Sequence, residues 1–442
     1  MIRDENEEEV GGKEREENLK KEETMDLSFI GKPHGYDARR VYSQTGADWQ
    51  ERVNFERLRK ERLARAKEQM EKHDLGALVV YDGANVRYLT SSFQGNWKYN
   101  IFIRYAVLPR GGEPILFETA GSDLQCAKID LPWMEGRIRP AITWRWSEGA
   151  VEYMVDRMVD SVVEVLKEHK VEKERIGIDS LDMASLAAFQ KKKINVVNAM
   201  PALSAARVVK TQDEIELLKQ SAAIADACAY KARYEWAKPG ITERELSGKM
   251  IEYMYSKGCE IVYEIIVASG GNTSPYRRWP TDKIIRQGDL LIFDNNTVGP
   301  SGYFVDYVRC WKVEGKPTPK EKDLYKECYD SLHAAIEMMK PGNTSKDVAE
   351  KFPVYDDDKY GTVTLQQFAH SIGLTLYEGM WISRAYSLKY PAEIKPNMYF
   401  AVETFAGHPL LEQTVRLETD LLITDKGHEI FTLFPYEEDF LR

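Results

Sequence analysis

The chain has no apolar run of the roughly eighteen residues needed to cross a bilayer as a helix, so a membrane span is not expected. Its first residues also lack the apolar stretch of a secretory signal, which gives no reason to expect export. Cysteine is scarce. Cys126, Cys228, Cys259, Cys310 and Cys328 are odd in number, lie far apart and form no C-x-x-C pair. Neither a disulfide framework nor a thiolate metal site is expected, and a reducing, cytoplasmic location is. Positive charge is in deficit as well, with 71 acidic against 61 basic residues and a formal charge of -10. That balance disfavours nucleic acid or an anionic membrane as the main partner.

At 442 residues the chain exceeds what one core organises, which predicts two domains and a tail. Residues 1–25 are dense in Glu and Lys with almost nothing apolar, and cannot offset their ordering entropy. Residues 26–205 alternate helix and strand patterns, the mark of an α/β domain. From Trp49 to His73 a charged helix sets Val53, Leu58, Leu63 and Met70 near one face. GALVVYDG, YAVLP and EPILFET read as strands, a helix spans Val151 to His169, and IGIDS opens the next strand. Near Lys210 the texture changes. Thr211, with Glu214 three residues on, predicts the capped start of a long helix, so the second domain is placed at 206–442.

That second half repeats itself faintly. Lys238-Pro239-Gly240-Ile241-Thr242 and Lys340-Pro341-Gly342-Asn343-Thr344 each follow a helix, and each precedes an apolar strand ending in an acid, QGDLLIFD at Asp294 and KPNMYFAVE at Glu403. The repeat predicts an α+β domain of two halves about a pseudo-two-fold, with carboxylates converging at the axis. Asp306 lies on the strand after Asp294, His370 opens HSIG, and Glu418 sits in VRLETDLLIT. Singly, each has a plain structural reading, as a turn former or a satisfied core histidine. Together they put four acids and an imidazole on apolar strands, where isolated charge is expensive, and so favour metal. An oxygen-rich set with one imidazole suits Mn, Fe, Co or Zn, and two such ions would share bridging carboxylates.

The series Asp294, Asp306, His370, Glu403, Glu418 resembles the five-ligand signature of the pita-bread enzymes: methionine aminopeptidases, aminopeptidase P, prolidase and creatinase. RVVKTQDEIELLKQSAAIAD, VASGGNTS and RLETDLLIT extend the resemblance over about residues 50–435. It implies a creatinase-like N-terminal domain, a pita-bread catalytic domain, a homodimer and two divalent ions. Asp294, Asp306 and Glu418 would hold one ion, and Asp306, His370, Glu403 and Glu418 the other. Two positions depart from the peptidases. Arg277 and Tyr377 stand where that family carries histidines that assist amide cleavage. An imidazole can shuttle a proton to the leaving amine and a guanidinium cannot.

The longer spacing between the first two acids and Trp97 in SSFQGNWKYN is more like the dimethylsulfoniopropionate lyases built on this fold. Where those lyases carry an extra Asp, two places after the first ligand, this chain has Asn296. Their proposed Asp base also lacks a match here, since the region offers Leu376 or Tyr377. Candidate catalytic residues are therefore Tyr377, Arg277 and Glu378, and candidate substrate contacts are Trp97, Tyr276 and Asn296. Three readings stand: a metal-dependent lyase of a small carboxylate, a hydrolase of the Xaa-Pro type, and a non-catalytic binding module.

Overall fold

A computed structural model describes residues 52–93, 101–354, 366–407 and 413–442, with the backbone alone for residues 261–263. The charged tail and Trp97 lie outside these residues.

The first domain opens with α1 (Phe55–Lys72), capped by Asn54, whose side chain accepts from the Arg57 amide at 2.9 Å. The inward residues are Leu58, Arg62, Ala66 and Met70, while Leu63 is only partly buried. The expected face is thus rotated, because Arg62 points inward and donates to the Tyr303 hydroxyl at 3.3 Å. Hydropathy counts an arginine as outward and cannot see that partner.

There follow β1 (Ala77–Val80), α2 (Gly83–Thr90), β2 (Tyr105–Pro109), β3 (Ile115–Glu118), α3 (Ser122–Asp130) and β4 (Ile138–Pro140). The domain is completed by α4 (Val151–Glu168), β5 (Arg175–Ile178), α5 (Met183–Lys191), β6 (Asn195–Asn198) and α6 (Met200–Arg207). The strands form one sheet in the order β4-β3-β2-β1-β5-β6, with β1 antiparallel to β2 and parallel to β5. β1 is central and buried on both faces, which is why it reads as an unbroken apolar run. Leu78 and Val80 join one core, and Ala77 and Val79 join another with α4.

The second domain begins with α7 (Gln212–Lys231), which starts at the capping box of Thr211 and Glu214. Next come α8 (Glu243–Ser256), the antiparallel sheet β7 (Ile261–Ser269), β8 (Leu290–Val298) and β9 (Phe304–Lys312), then α9 (Pro319–Ile336) and α10 (Ser345–Ala349). A second sheet, in the order β11-β10-β12-β13-β14, contains β10 (Ala369–Ser371), β11 (Trp381–Ile382), β12 (Tyr399–Ala406), β13 (Val415–Ile423) and β14 (His428–Ile430). β9 packs against β13, so the two sheets meet where their acids lie.

The internal repeat is visible in the pairing. Thr242 bridges Ile284 and Thr344 bridges Glu393, each partner standing the same distance ahead of its acid, Asp294 or Glu403. Both threonines cap the helix that follows them. No helix among the described residues is long and apolar enough to cross a membrane, and all five cysteines are free thiols.

Candidate metal centre

The strands that carry the acids are buried at nearly every position, so alternation decides which way each side chain points. On β13, Val415, Leu417, Leu421 and Ile423 pack into the core beneath α9, which turns Arg416, Glu418 and Asp420 to the opposite face. Glu403 on β12 is in register with Glu418, and Asp306 on β9 is in register with Asn296 on β8. Register thus delivers one pair of positions from each half of the domain to the same place.

His370 sits in the middle. Its Nε2 lies 3.3 Å from Asp306 Oδ2 and 3.9 Å from both Glu403 Oε1 and Glu418 Oε1. Asp306, His370 and Glu418 offer ligand atoms within 4.8 Å of one another. Asp294 joins from β8, where the Tyr276 hydroxyl donates to its Oδ2 at 2.8 Å and the Asn296 amide donates to its Oδ1. Glu403 accepts from Gln367 at 2.8 Å and pairs with Arg416, whose guanidinium also stacks over the Tyr276 ring at 5.2 Å.

Burial first, and then the charges of Asp294 and Asp420, push the Asp306 carboxyl well above the usual range. Glu418 is pushed up in the same way, by burial and then by Asp306 and Asp294. Burial also raises Asp294, against the opposing pull of Arg416 and Tyr276. His370 moves the other way, pushed down to about 3 by burial, so its imidazole is neutral and has a lone pair to give. Asp306 Oδ1 and Glu418 Oε1 are buried with no hydrogen-bond partner among the described residues. Orphaned acceptors of this kind are costly in a folded interior, and a shared divalent cation satisfies them. The donor set therefore fits a metal, held by Asp306, His370 and Glu418, with Glu403 Oε1 3.9 Å from His370 Nε2 and Asp294 close enough for its charge to act on Asp306 and Glu418.

Of the other residues named from the sequence, Tyr377 packs edge-on against His370, with ring centroids 4.7 Å apart, and against Trp381 at 4.9 Å. Tyr377 is still 40% exposed, and partial desolvation followed by the charge of Asp306 pushes its phenol up to about 12, so it keeps its proton at neutral pH. Tyr276 and Asn296, proposed as substrate contacts, both spend a hydrogen bond on Asp294. Arg277 is exposed. Its neighbour Arg278, also exposed, pairs with Glu264 at 3.0 Å and is the guanidinium whose positive charge acts on the Tyr377 phenol. Both oxygens of Glu378 are taken, one by Arg207 and one by Lys210.

Arg416 and Asp420 were not singled out from the sequence, although a signal for both exists, since they flank Glu418 at two-residue spacing on a strand. Asp420 braces the centre, its Oδ2 accepting from the Asp306 amide at 3.1 Å and from the Tyr399 hydroxyl at 3.3 Å.

A creatinase-like α/β domain followed by a duplicated domain with acids and a histidine at its axis defines a class, and the comparisons agree with it. Residues 216–425 match metallopeptidase family M24, and residues 62–209 match the creatinase/prolidase N-terminal domain. The chain belongs to the pita-bread superfamily, whose M24 members are metal-dependent enzymes.

Within it, the chain is 24% identical over 403 residues to dimethylsulfoniopropionate lyase DddP of Roseovarius nubinhibens, covering 87% of both chains. It is 28% identical over 278 residues to Xaa-Pro dipeptidase of Pyrococcus furiosus, covering 62% of this chain and 76% of that one. The solved Xaa-Pro dipeptidase from Bacillus anthracis superposes with a TM-score of 0.69 at 22% identity, over 86% of this chain and 98% of that one, and shares the fold.

Proposed function

We propose that the chain is a metal-dependent lyase that eliminates a β-substituent from a small carboxylate, most like dimethylsulfoniopropionate. In such an elimination the α-proton passes to a base, the β-substituent departs with its bonding pair, and a carbon–carbon double bond forms. A bound divalent ion supplies Lewis acidity, which stabilises negative charge developing on the substrate.

The observation that carries this reading is Tyr377 against His370, with Arg278 beside it. Tyr377 stands where the peptidases that this chain resembles have an imidazole. A phenol that keeps its proton donates a hydrogen bond, and a guanidinium carries fixed positive charge, so the pair suits a carboxylate. Neither group exchanges a proton readily near neutral pH, which amide cleavage requires of the residue that serves the leaving amine. The lyase relative, matched along 87% of both chains, supports the same reading.

The second reading, hydrolysis of Xaa-Pro dipeptides, is favoured by the 28% identity to the Pyrococcus dipeptidase. One experiment separates them. The protein loaded in turn with Fe, Mn, Co and Zn is given dimethylsulfoniopropionate and, separately, a panel of Xaa-Pro dipeptides. We expect acrylate and dimethyl sulfide, lost in Asp306→Ala. Proline release with no acrylate above the Asp306→Ala control overturns the lyase proposal in favour of the hydrolase.

A further inference from the structure

Tyr377 does not hold its place through its own contacts alone. The next residue, Glu378, is buried, and its carboxylate is clasped by the Arg207 guanidinium and the Lys210 ammonium. Both cations are themselves buried and both come from the segment that joins the two domains. The Glu378 amide donates to the Ser371 carbonyl at 2.9 Å, closing the loop back onto the strand of His370. Arg207 also donates to the Thr375 hydroxyl at 2.6 Å, inside the same loop.

The chain of contacts continues into the first domain. Arg207 donates to Asn85 Oδ1 at 2.7 Å, and Asn85 donates in turn to Asp179 Oδ2 at 2.9 Å. A cleft of about 450 Å³ separates the domains, with Asp82, Asn85 and Asp179 on one wall and Tyr377 and Trp381 on the other. The loop is shaped for this arrangement. A Cβ on Gly373 would come within 1.9 Å of Glu378 Oε1, so glycine there leaves room for the carboxylate to reach its partners.

We propose that Glu378 is a positioning residue: clasped by Arg207 and Lys210, it fixes the loop that sets Tyr377 beside His370 and couples that loop to the N-terminal domain through Asn85 and Asp179. Two cations on one carboxylate leave excess positive charge, which Asp82 across the cleft helps to balance. The proposal rests on the reading of the metal site as the reaction centre, and its test separates the two.

The test places 3-fluorotyrosine at position 377 and, as a control, at the exposed Tyr153 of the full metal-loaded chain, and records the fluorine NMR spectrum. We expect one narrow line for residue 377, and a broadened or split line in Glu378→Gln with metal content and the Tyr153 line unchanged. Turnover in that variant should fall about a hundredfold, the effect of displacing a substrate-positioning group by roughly 1 Å. Should Glu378→Gln not fold, the double variant Glu378→Gln with Lys210→Met removes one of the two buried cations left without the carboxylate, and its line for residue 377 should still shift. A line unchanged from the parent in the variant that folds overturns the proposal. A shifted line in a chain whose parent turns over no substrate supports it and counts against the proposed function alone.

Discussion

Asp306→Ala is expected to leave the protein folded, unable to retain its metal and inactive. Asp306 is the carboxylate closest to His370 Nε2, and its other oxygen has no partner among the described residues. Removing it takes away a ligand and also relieves repulsion on Asp294 and Glu418, both of which sit in its field. Losing the several kcal/mol that a Lewis acid supplies lowers turnover by about a thousandfold or more. Elemental analysis and product formation, measured together on the parent and the variant, check this. A variant with full metal content and parental rate contradicts it.

The second large effect is on stability. Chelation should lower the melting temperature, and the drop should grow as pH rises. Asp294, Asp306 and Glu418 have folded-state values raised above the ordinary carboxylate value near 4, chiefly by burial. For a group raised on folding, the stability it contributes is fully present below the unfolded value and is lost as pH rises through the folded one. The metal-free chain therefore loses stability from about pH 4 upward, as buried acids must ionise beside one another. A bound cation neutralises them and removes most of that loss. An ion present at a hundred times its dissociation constant contributes about 2.7 kcal/mol, or roughly 5–10 °C for a domain of this size. Calorimetric scans with and without chelator at pH 5 and pH 8 read the gap directly. A gap that stays constant or narrows toward pH 8 contradicts the electrostatic account.

The parts of the architecture that the sequence made legible were those written in local pattern. The buried strand ALVV, the capping box of Thr211 and Glu214, and the two Pro-Gly turns each state their structure within a few residues. The metal-site acids stood out for a related reason, since a carboxylate inside an apolar strand contradicts its surroundings and requires a partner. What local pattern could not reveal were partners brought in from far along the chain. Arg62 is inward because Tyr303 receives it, and Glu378 is bound by Arg207 and Lys210 from the segment that joins the domains. Arg277 and Arg278 are adjacent and chemically alike. In the folded chain it is Arg278 that pairs with Glu264 and whose charge acts on Tyr377.

The account depends most directly on a divalent cation lying among Asp306, His370 and Glu418. Anomalous diffraction from crystals of the metal-loaded protein, collected at the absorption edge of that metal, tests this. The expected result is a peak within about 2.0–2.3 Å of His370 Nε2 and of an oxygen from both Asp306 and Glu418. A stoichiometrically loaded crystal whose peak lies elsewhere, or that shows none, contradicts it.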